Sequence, residues 1–165
     1  MKRIAKFEKV SRVQFQKDYH LQGDANVIYD NINLPKRSTT GSAGYDIYSP
    51  IDITLKPGES IVVPTGIRVL IDEGWVLKIY PRSSMGFKYR LQLDNTVGII
   101  DSDYSNALNE GHIFTKITND GRSNGEVNIK QGQAYLQGIF LEYGITYDDE
   151  VSNSRIGGVG STDQK

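Results

Sequence analysis

The sequence predicts a single all-β domain of jelly-roll type. Three observations carry that expectation. From residue 43 onward, short runs rich in β-branched and aromatic residues recur about every 8–12 residues, the spacing of sandwiches and barrels. Turn chemistry punctuates them at Lys56-Pro57-Gly58-Glu59, Pro64-Thr65-Gly66 and Asp72-Glu73-Gly74. No segment carries a sustained helical apolar period.

In chain order, the first expected strand is Ile4–Val10, and the stretch Phe15–Leu34 reads as a loop with a short strand at Asn26–Tyr29. Strands follow at Tyr45–Tyr48, Ile51–Leu55, Ser60–Val63, Ile67–Ile71 and Val76–Tyr80, then at Thr96–Ile100, His112–Thr118, Glu126–Ile129 and Ala134–Tyr143. Residues 83–89 leave room for one helical turn. The polar, glycine-rich stretch Ser152–Lys165 has little apolar surface to bury and reads as a mobile arm. The expected organisation is one β domain over residues 1–151 and an arm over residues 152–165.

The 165 residues suit one domain with its own core. With 19 basic against 20 acidic side chains, the chain lacks the basic footprint that duplex nucleic acid requires, so no direct nucleic-acid binding is expected. The absence of cysteine excludes disulfides and thiolate catalysis. Two histidines, His20 and His112, argue against a histidine metal cage. The basic start Met1-Lys2-Arg3-Ile4-Ala5-Lys6 is not followed by an apolar run, and no apolar stretch approaches the roughly 20 residues that cross a bilayer. A cytoplasmic protein without membrane contact is expected.

Chemistry concentrates in a few segments. Pro81-Arg82-Ser83-Ser84-Met85-Gly86 follows an expected strand and brings an arginine, two hydroxyls and backbone N–H donors to one turn. That set suits phosphate oxygens, although an ordinary polar turn has the same composition. Asn95-Thr96-Val97-Gly98-Ile99-Ile100-Asp101-Ser102-Asp103-Tyr104 reads as a buried strand whose glycine allows close approach and whose end carries two carboxylates and a tyrosine. Strict alternation would turn Asp101 and Asp103 one way and Ser102 and Tyr104 the other, unless the strand bends. Arg155-Ile156-Gly157-Gly158-Val159-Gly160-Ser161-Thr162 combines glycines with a cation but lacks the Gly-Lys-Ser/Thr of a Walker A loop. The lone Asp46 of Ala43-Gly44-Tyr45-Asp46 is no magnesium cage, so any metal would draw most of its ligands from a triphosphate.

Read in order, Ala43–Asp46, Pro81–Ser84, Gly98–Tyr104, Gly132-Gln133-Ala134-Tyr135-Leu136-Gln137 and Arg155–Thr162 resemble motifs one to five of the trimeric dUTP pyrophosphatases. The resemblance spans roughly residues 34–162 and leaves the first 33 residues outside. It implies a homotrimeric jelly roll whose three sites lie between subunits, each closed by a glycine-rich arm. It implies magnesium-dependent hydrolysis of dUTP to dUMP and pyrophosphate, which keeps uracil out of DNA and supplies dUMP for thymidylate synthesis. Asp101 would be the general base for the water that attacks the α-phosphorus. Tyr104 would pack against the deoxyribose, while Asn95 and the backbone of Gly98, Ile99 and Ile100 would bind uracil. Arg82, Ser83 and Ser84 would hold phosphates, Gln137 would position phosphate or water, and Arg155 with Val159, Gly160 and Ser161 would close over the ligand. Asp46 would hold Mg2+ through its water shell.

The chain departs from the family pattern at four points. Motif four reads Gly132-Gln133-Ala134 where Gly-Glu-Arg is usual, and Arg155 sits one residue closer to the paired glycines. Val159 replaces the aromatic residue that caps uracil, and Ser105–Glu110 lengthens the turn before Gly111. Two rival readings are a dCTP deaminase on the same fold, whose glutamate base the segment Asp101–Tyr104 does not resemble, and a nucleotide-gated regulatory protein that binds a partner through residues 1–33 or the long turn.

Overall fold

The computed structural model describes residues 1–123, 125–153, 155 and 157. Strand β1 (Ala5–Lys9) leads into helix α1 (Arg12–Asp18), and helix α2 (Ala25–Asp30) follows. The strands β2 (Lys36–Arg37), β3 (Tyr45–Tyr48), β4 (Ile53–Leu55), β5 (Ser60–Pro64), β6 (Ile67–Ile71) and β7 (Trp75–Pro81) come next. Helix α3 (Ser83–Tyr89) precedes β8 (Gln92–Leu93), β9 (Gly98–Ile100), β10 (Phe114–Thr118), β11 (Val127–Ile129) and β12 (Ala134–Glu142).

The all-β jelly-roll expectation is overturned: the fold is mixed, with three α-helices among the described residues and open sheets. Strands pair antiparallel in four separate sheets, of order β2-β3-β12-β7-β9, β5-β10-β8, β1-β6 and β4-β11. The helices escape periodicity because they are one or two turns long. Helix α1 buries only Gln14 and Phe15, α2 only Ile28, and α3 only Met85. Such helices form through caps and tertiary packing rather than through an apolar stripe. Ser11 accepts from the Gln14 N–H at 3.1 Å, and Asp24 accepts from the Asn26 N–H at 2.8 Å. The expected strand at Asn26–Tyr29 is therefore part of α2.

Most strands lie where alternation and turn residues put them, with trimmed ends. Strand β9 starts at Gly98 rather than Thr96 because Thr96 is left-handed (φ 66°) and turns back on Leu93. Strand β10 starts at Phe114 because left-handed Glu110 and Gly111 precede it. Strands β2 and β8, each of two residues, have no sequence signal of their own. One apolar cluster contains Phe15 from α1, Val69 from β6, Leu77 from β7, Ile117 from β10 and Leu136 from β12. The buried Tyr135 hydroxyl meets Thr115 Oγ1 at 2.8 Å, joining the five- and three-stranded sheets through a satisfied polar pair.

Candidate active site

Strand β9 runs beside β7, with Gly98 opposite Ile79 and Ile100 opposite Leu77. A Cβ on Gly98 would stand 3.1 Å from the Ile79 Cβ, so glycine lets the two strands close. After Ile100 the chain leaves the sheet at Asp101 and enters a 3-10 helix over Ser102–Asn106. The Tyr104 N–H bonds to the Asp101 carbonyl at 3.1 Å, closing the turn. This bend replaces strict alternation: Asp101 and Tyr104 border the same cavity. The cavity measures about 750 Å³, and Asn95, Gly98, Ile99, Ile100 and Arg155 line it as well. Val62, Ile79, Leu93 and Phe114 supply apolar wall, while Asp94, Asn109, Thr115 and Lys116 add polar groups.

Arg155 ties the two carboxylates of this turn together. Its Nη2 donates to Asp101 Oδ2 at 2.6 Å and its Nε to Asp103 Oδ1 at 2.8 Å. Its guanidinium carbon lies 5.6 Å from the Tyr104 ring centroid, within cation–π reach. Burial disfavours the charged guanidinium, but the hydrogen bond to Asp103 and the charges of Asp103 and Asp101 raise its pKa overall. The carboxylates thus hold a cation at the cavity wall.

A second cluster forms at the end of the five-stranded sheet. Asp46 on β3 faces Gln137 on β12, and Leu136 faces Pro81 at the end of β7. Arg82 donates from Nε to Asp46 Oδ1 at 3.0 Å, and Ser38 donates to Asp46 Oδ2 at 2.9 Å. The Arg82 Nη1 reaches Ser84 Oγ at 3.5 Å, and Gln137 Nε2 donates to the Pro81 carbonyl at 3.4 Å. Ser83 and Ser84 are exposed at the start of α3. None of Asp46, Arg82, Ser83, Ser84 and Gln137 borders the cavity. Val159, Gly160 and Ser161 lie outside the described residues.

Sequence reasoning missed Asp94, Asn109, Phe114, Thr115 and Lys116 as cavity residues. Asp94 accepts from Lys116 Nζ at 2.7 Å, and the Lys116 hydrogen bond is the main cause holding its carboxyl below the usual range. Strand pairing brings these residues together, and no local spacing announces it. Only the lengthened turn at Ser105–Glu110 hinted at Asn109.

Among the described residues, no group of three or more His, Cys, Asp or Glu side chains is placed to hold a metal. Asp46 is a hard oxygen donor with both oxygens already engaged, by Arg82 and Ser38. This donor set fits a magnesium ion that keeps phosphate oxygens and water as its inner ligands, and it does not fit an all-protein cage.

A family model described as dUTPase matches residues 30–162. The deoxyuridine 5'-triphosphate nucleotidohydrolase of Lactococcus lactis subsp. lactis (strain IL1403) is 43% identical over 134 residues, 79% of this chain and 88% of that protein. The chain belongs to the dUTPase family. Among solved structures, a dUTPase from Streptococcus mutans superposes with a TM-score of 0.65 at 35% identity, covering 85% of this chain and 97% of that one. A mutant dUTPase from phage phi11 of S. aureus, described with a structural Mg(II) ion, superposes with a TM-score of 0.66 over 92% of this chain and 98% of its own. At 21% identity that likeness concerns the fold alone. No helix of the described residues is long and apolar enough to cross a membrane.

Proposed function

We propose that this dUTPase hydrolyses dUTP to dUMP and pyrophosphate at the cavity beside β9, with Asp101 as general base. The observation that carries the reading is the common cavity of Asn95, Gly98, Ile99, Ile100, Asp101 and Tyr104. Asn95 and the backbone of residues 98–100 offer donors and acceptors to the uracil edge, and the apolar wall removes water from them. A site that hydrogen-bonds a polar edge rejects analogues that leave its groups unpaired. Tyr104 forms the sugar wall and refuses a ribose 2′-hydroxyl. Asp101 orients a water and takes its proton as the water oxygen attacks the α-phosphorus; the bond to the bridging oxygen breaks in line and pyrophosphate leaves.

Phosphate handling belongs to Arg82, Ser83, Ser84 and Gln137, and Asp46 would hold magnesium through its water shell. When bound, magnesium neutralises phosphate charge that builds up as the α-phosphorus is attacked. Arg155 exchanges Asp101 and Asp103 for the outer phosphates. None of the Arg82 cluster borders the cavity, so a neighbouring subunit would bring its own cluster to each site, as in the homotrimer that the resemblance implies. The output is dUMP for thymidylate synthesis and a low dUTP level, a role suited to the cytoplasm.

The test is pyrophosphate release from purified protein with magnesium across dUTP, UTP, dTTP and dCTP, with ammonia measured alongside. Release from dUTP well above the others is the expected result. Absence of release from dUTP, or ammonia from dCTP, would overturn the reading.

A further inference from the structure

Helix α1 lies outside residues 30–162, which match the family, and the turn from Ser105 to Glu110 lies inside them. The two meet in the structure. Ser11, the cap of α1, donates its backbone N–H to Glu110 Oε2 at 2.7 Å and its hydroxyl to Glu110 Oε1 at 2.6 Å. Asp18, the last residue of α1, meets His112 Nδ1 at 2.7 Å through Oδ2. The His112 Nε2 accepts the Gly66 N–H at 2.8 Å, so the ring carries its proton on Nδ1 and donates it to Asp18. Gln14 donates to the same Asp18 oxygen at 2.7 Å and steadies it. Between the two grips, fully buried Phe15 packs its ring 6.0 Å from that of His112. One helix therefore holds Glu110 with one end and His112 with the other.

The segment it holds is strained and abuts Tyr104. Glu110 is left-handed (φ 60°), a conformation that strains a non-glycine residue and persists only when its surroundings enforce it. Gly111 is also left-handed (φ 72°), and a Cβ there would stand 2.6 Å from Ser105 Cα and 2.8 Å from the Tyr104 carbonyl oxygen. The turn thus closes backbone against backbone on the residue that carries the ring. The Tyr104 hydroxyl donates to the His112 carbonyl at 3.1 Å. Tyr104 is fixed at both ends by the segment that α1 grips.

We propose that α1 is a specificity brace, in which Ser11 and Asp18 act as positioning residues that set the place of the Tyr104 ring through Glu110 and His112. The brace governs how firmly a ribose 2′-hydroxyl is refused, and it rests on the reading of Tyr104 as the sugar wall. A helix that only covered core would affect stability and leave sugar preference alone.

The test is kcat and KM for dUTP and UTP, with thermal melting, in wild type, Glu110→Ala, Asp18→Ala, Ser11→Thr and Tyr104→Phe. Glu110→Ala severs both Ser11 bonds while leaving the cap of α1 intact, and Tyr104→Phe cuts only the tether to His112. Since small misplacements of a positioning group are costly, the dUTP-over-UTP preference in kcat/KM should fall about tenfold in Glu110→Ala, Asp18→Ala and Tyr104→Phe, more through KM than kcat. Ser11→Thr keeps the hydroxyl and should keep the preference. Wild-type preference in folded Glu110→Ala and in Tyr104→Phe would overturn the brace even with dUTP turned over normally. Should Asp18→Ala fail to fold, the other two variants decide. A wild-type protein inactive on dUTP would instead remove the functional reading and the brace with it.

Discussion

The cavity beside β9 and the charged cluster around Arg82 are built in opposite ways. The first is walled on several sides by residues of one chain, among them an amide and an aromatic ring beside the backbone of β9. The second lies open, and its groups satisfy one another: Arg82 with Asp46, Asp46 with Ser38, Gln137 with the Pro81 carbonyl. Base and sugar recognition needs shape and exclusion of water, which one fold supplies. Phosphate recognition, the role proposed for the second, needs cations, and Arg82 is held by a carboxylate. With Arg82 39% exposed, its pair with Asp46 contributes on the order of 0–1 kcal/mol, little enough for a triphosphate to displace. In the Arg155 pairs the exposure is reversed, with a largely buried guanidinium and carboxylates of Asp101 and Asp103 about half exposed.

The strongest way to break this comparison is Asp101→Asn. The amide keeps the shape of the cavity wall and loses the base, so turnover of dUTP should drop about 1000-fold while nucleotide binding persists. Pyrophosphate release and calorimetric titration read the two quantities. Turnover at the wild-type rate would move the base elsewhere.

Arg82→Ala addresses the other region. Loss of a cation from the developing phosphate charge should cost about 100-fold in kcat/KM. Co-expression with Asp101→Asn then sharpens the comparison: if the two regions meet only between subunits, mixed assemblies regain activity above either parent. Mixed assemblies no better than the parents would sink the shared-site reading.

Arg155→Ala should have a smaller effect, because on the proposed reading this arginine is shared between the carboxylates of Asp101 and Asp103 and the phosphates. Loss of one charge-assisted contact predicts about a tenfold fall in kcat/KM. Steady-state kinetics at two salt concentrations would check it, since screening should narrow the gap between variant and wild type.

The same contrast separates what the sequence discloses from what it hides. Strands were legible because apolar runs such as Val76–Tyr80 sit between turn residues with unmistakable backbone preferences. Asn95, Gly98–Asp101 and Tyr104 were legible as neighbours because they follow one another along ten residues, and they line one cavity. Helices α1 and α2 were hidden, since each buries one or two side chains and forms no stripe. Asp94 and Lys116 join the cavity through pairing of β8 with β10, which no local spacing encodes. The grip of Ser11 on Glu110 spans 99 residues of sequence, and that of Asp18 on His112 spans 94. The register and tautomer that create those bonds exist only once the chain has folded.

The smallest expected effect concerns the buried side of the cavity wall and is a matter of protons. His112 is fully buried beside Asp18, and two influences oppose each other: burial lowers its pKa from the ordinary 6.5, while the Asp18 hydrogen bond and the charges of Asp18 and Glu110 raise it. Burial prevails, and the hydrogen bonding agrees, because a second proton on Nε2 would face the Gly66 N–H that Nε2 now accepts. The unfolded chain therefore takes up a proton before the folded one. The contribution of His112 to stability is fully present above pH 6.5 and is lost as pH falls toward the depressed folded value. For a single proton the slope cannot exceed about 1.4 kcal/mol per pH unit. Urea unfolding between about pH 7.5 and 5.5 should show stability declining over the lower part of that range, and His112→Asn should flatten the decline. A decline in the opposite direction would mean that Asp18 holds an imidazolium, and the Gly66 N–H would then need another acceptor.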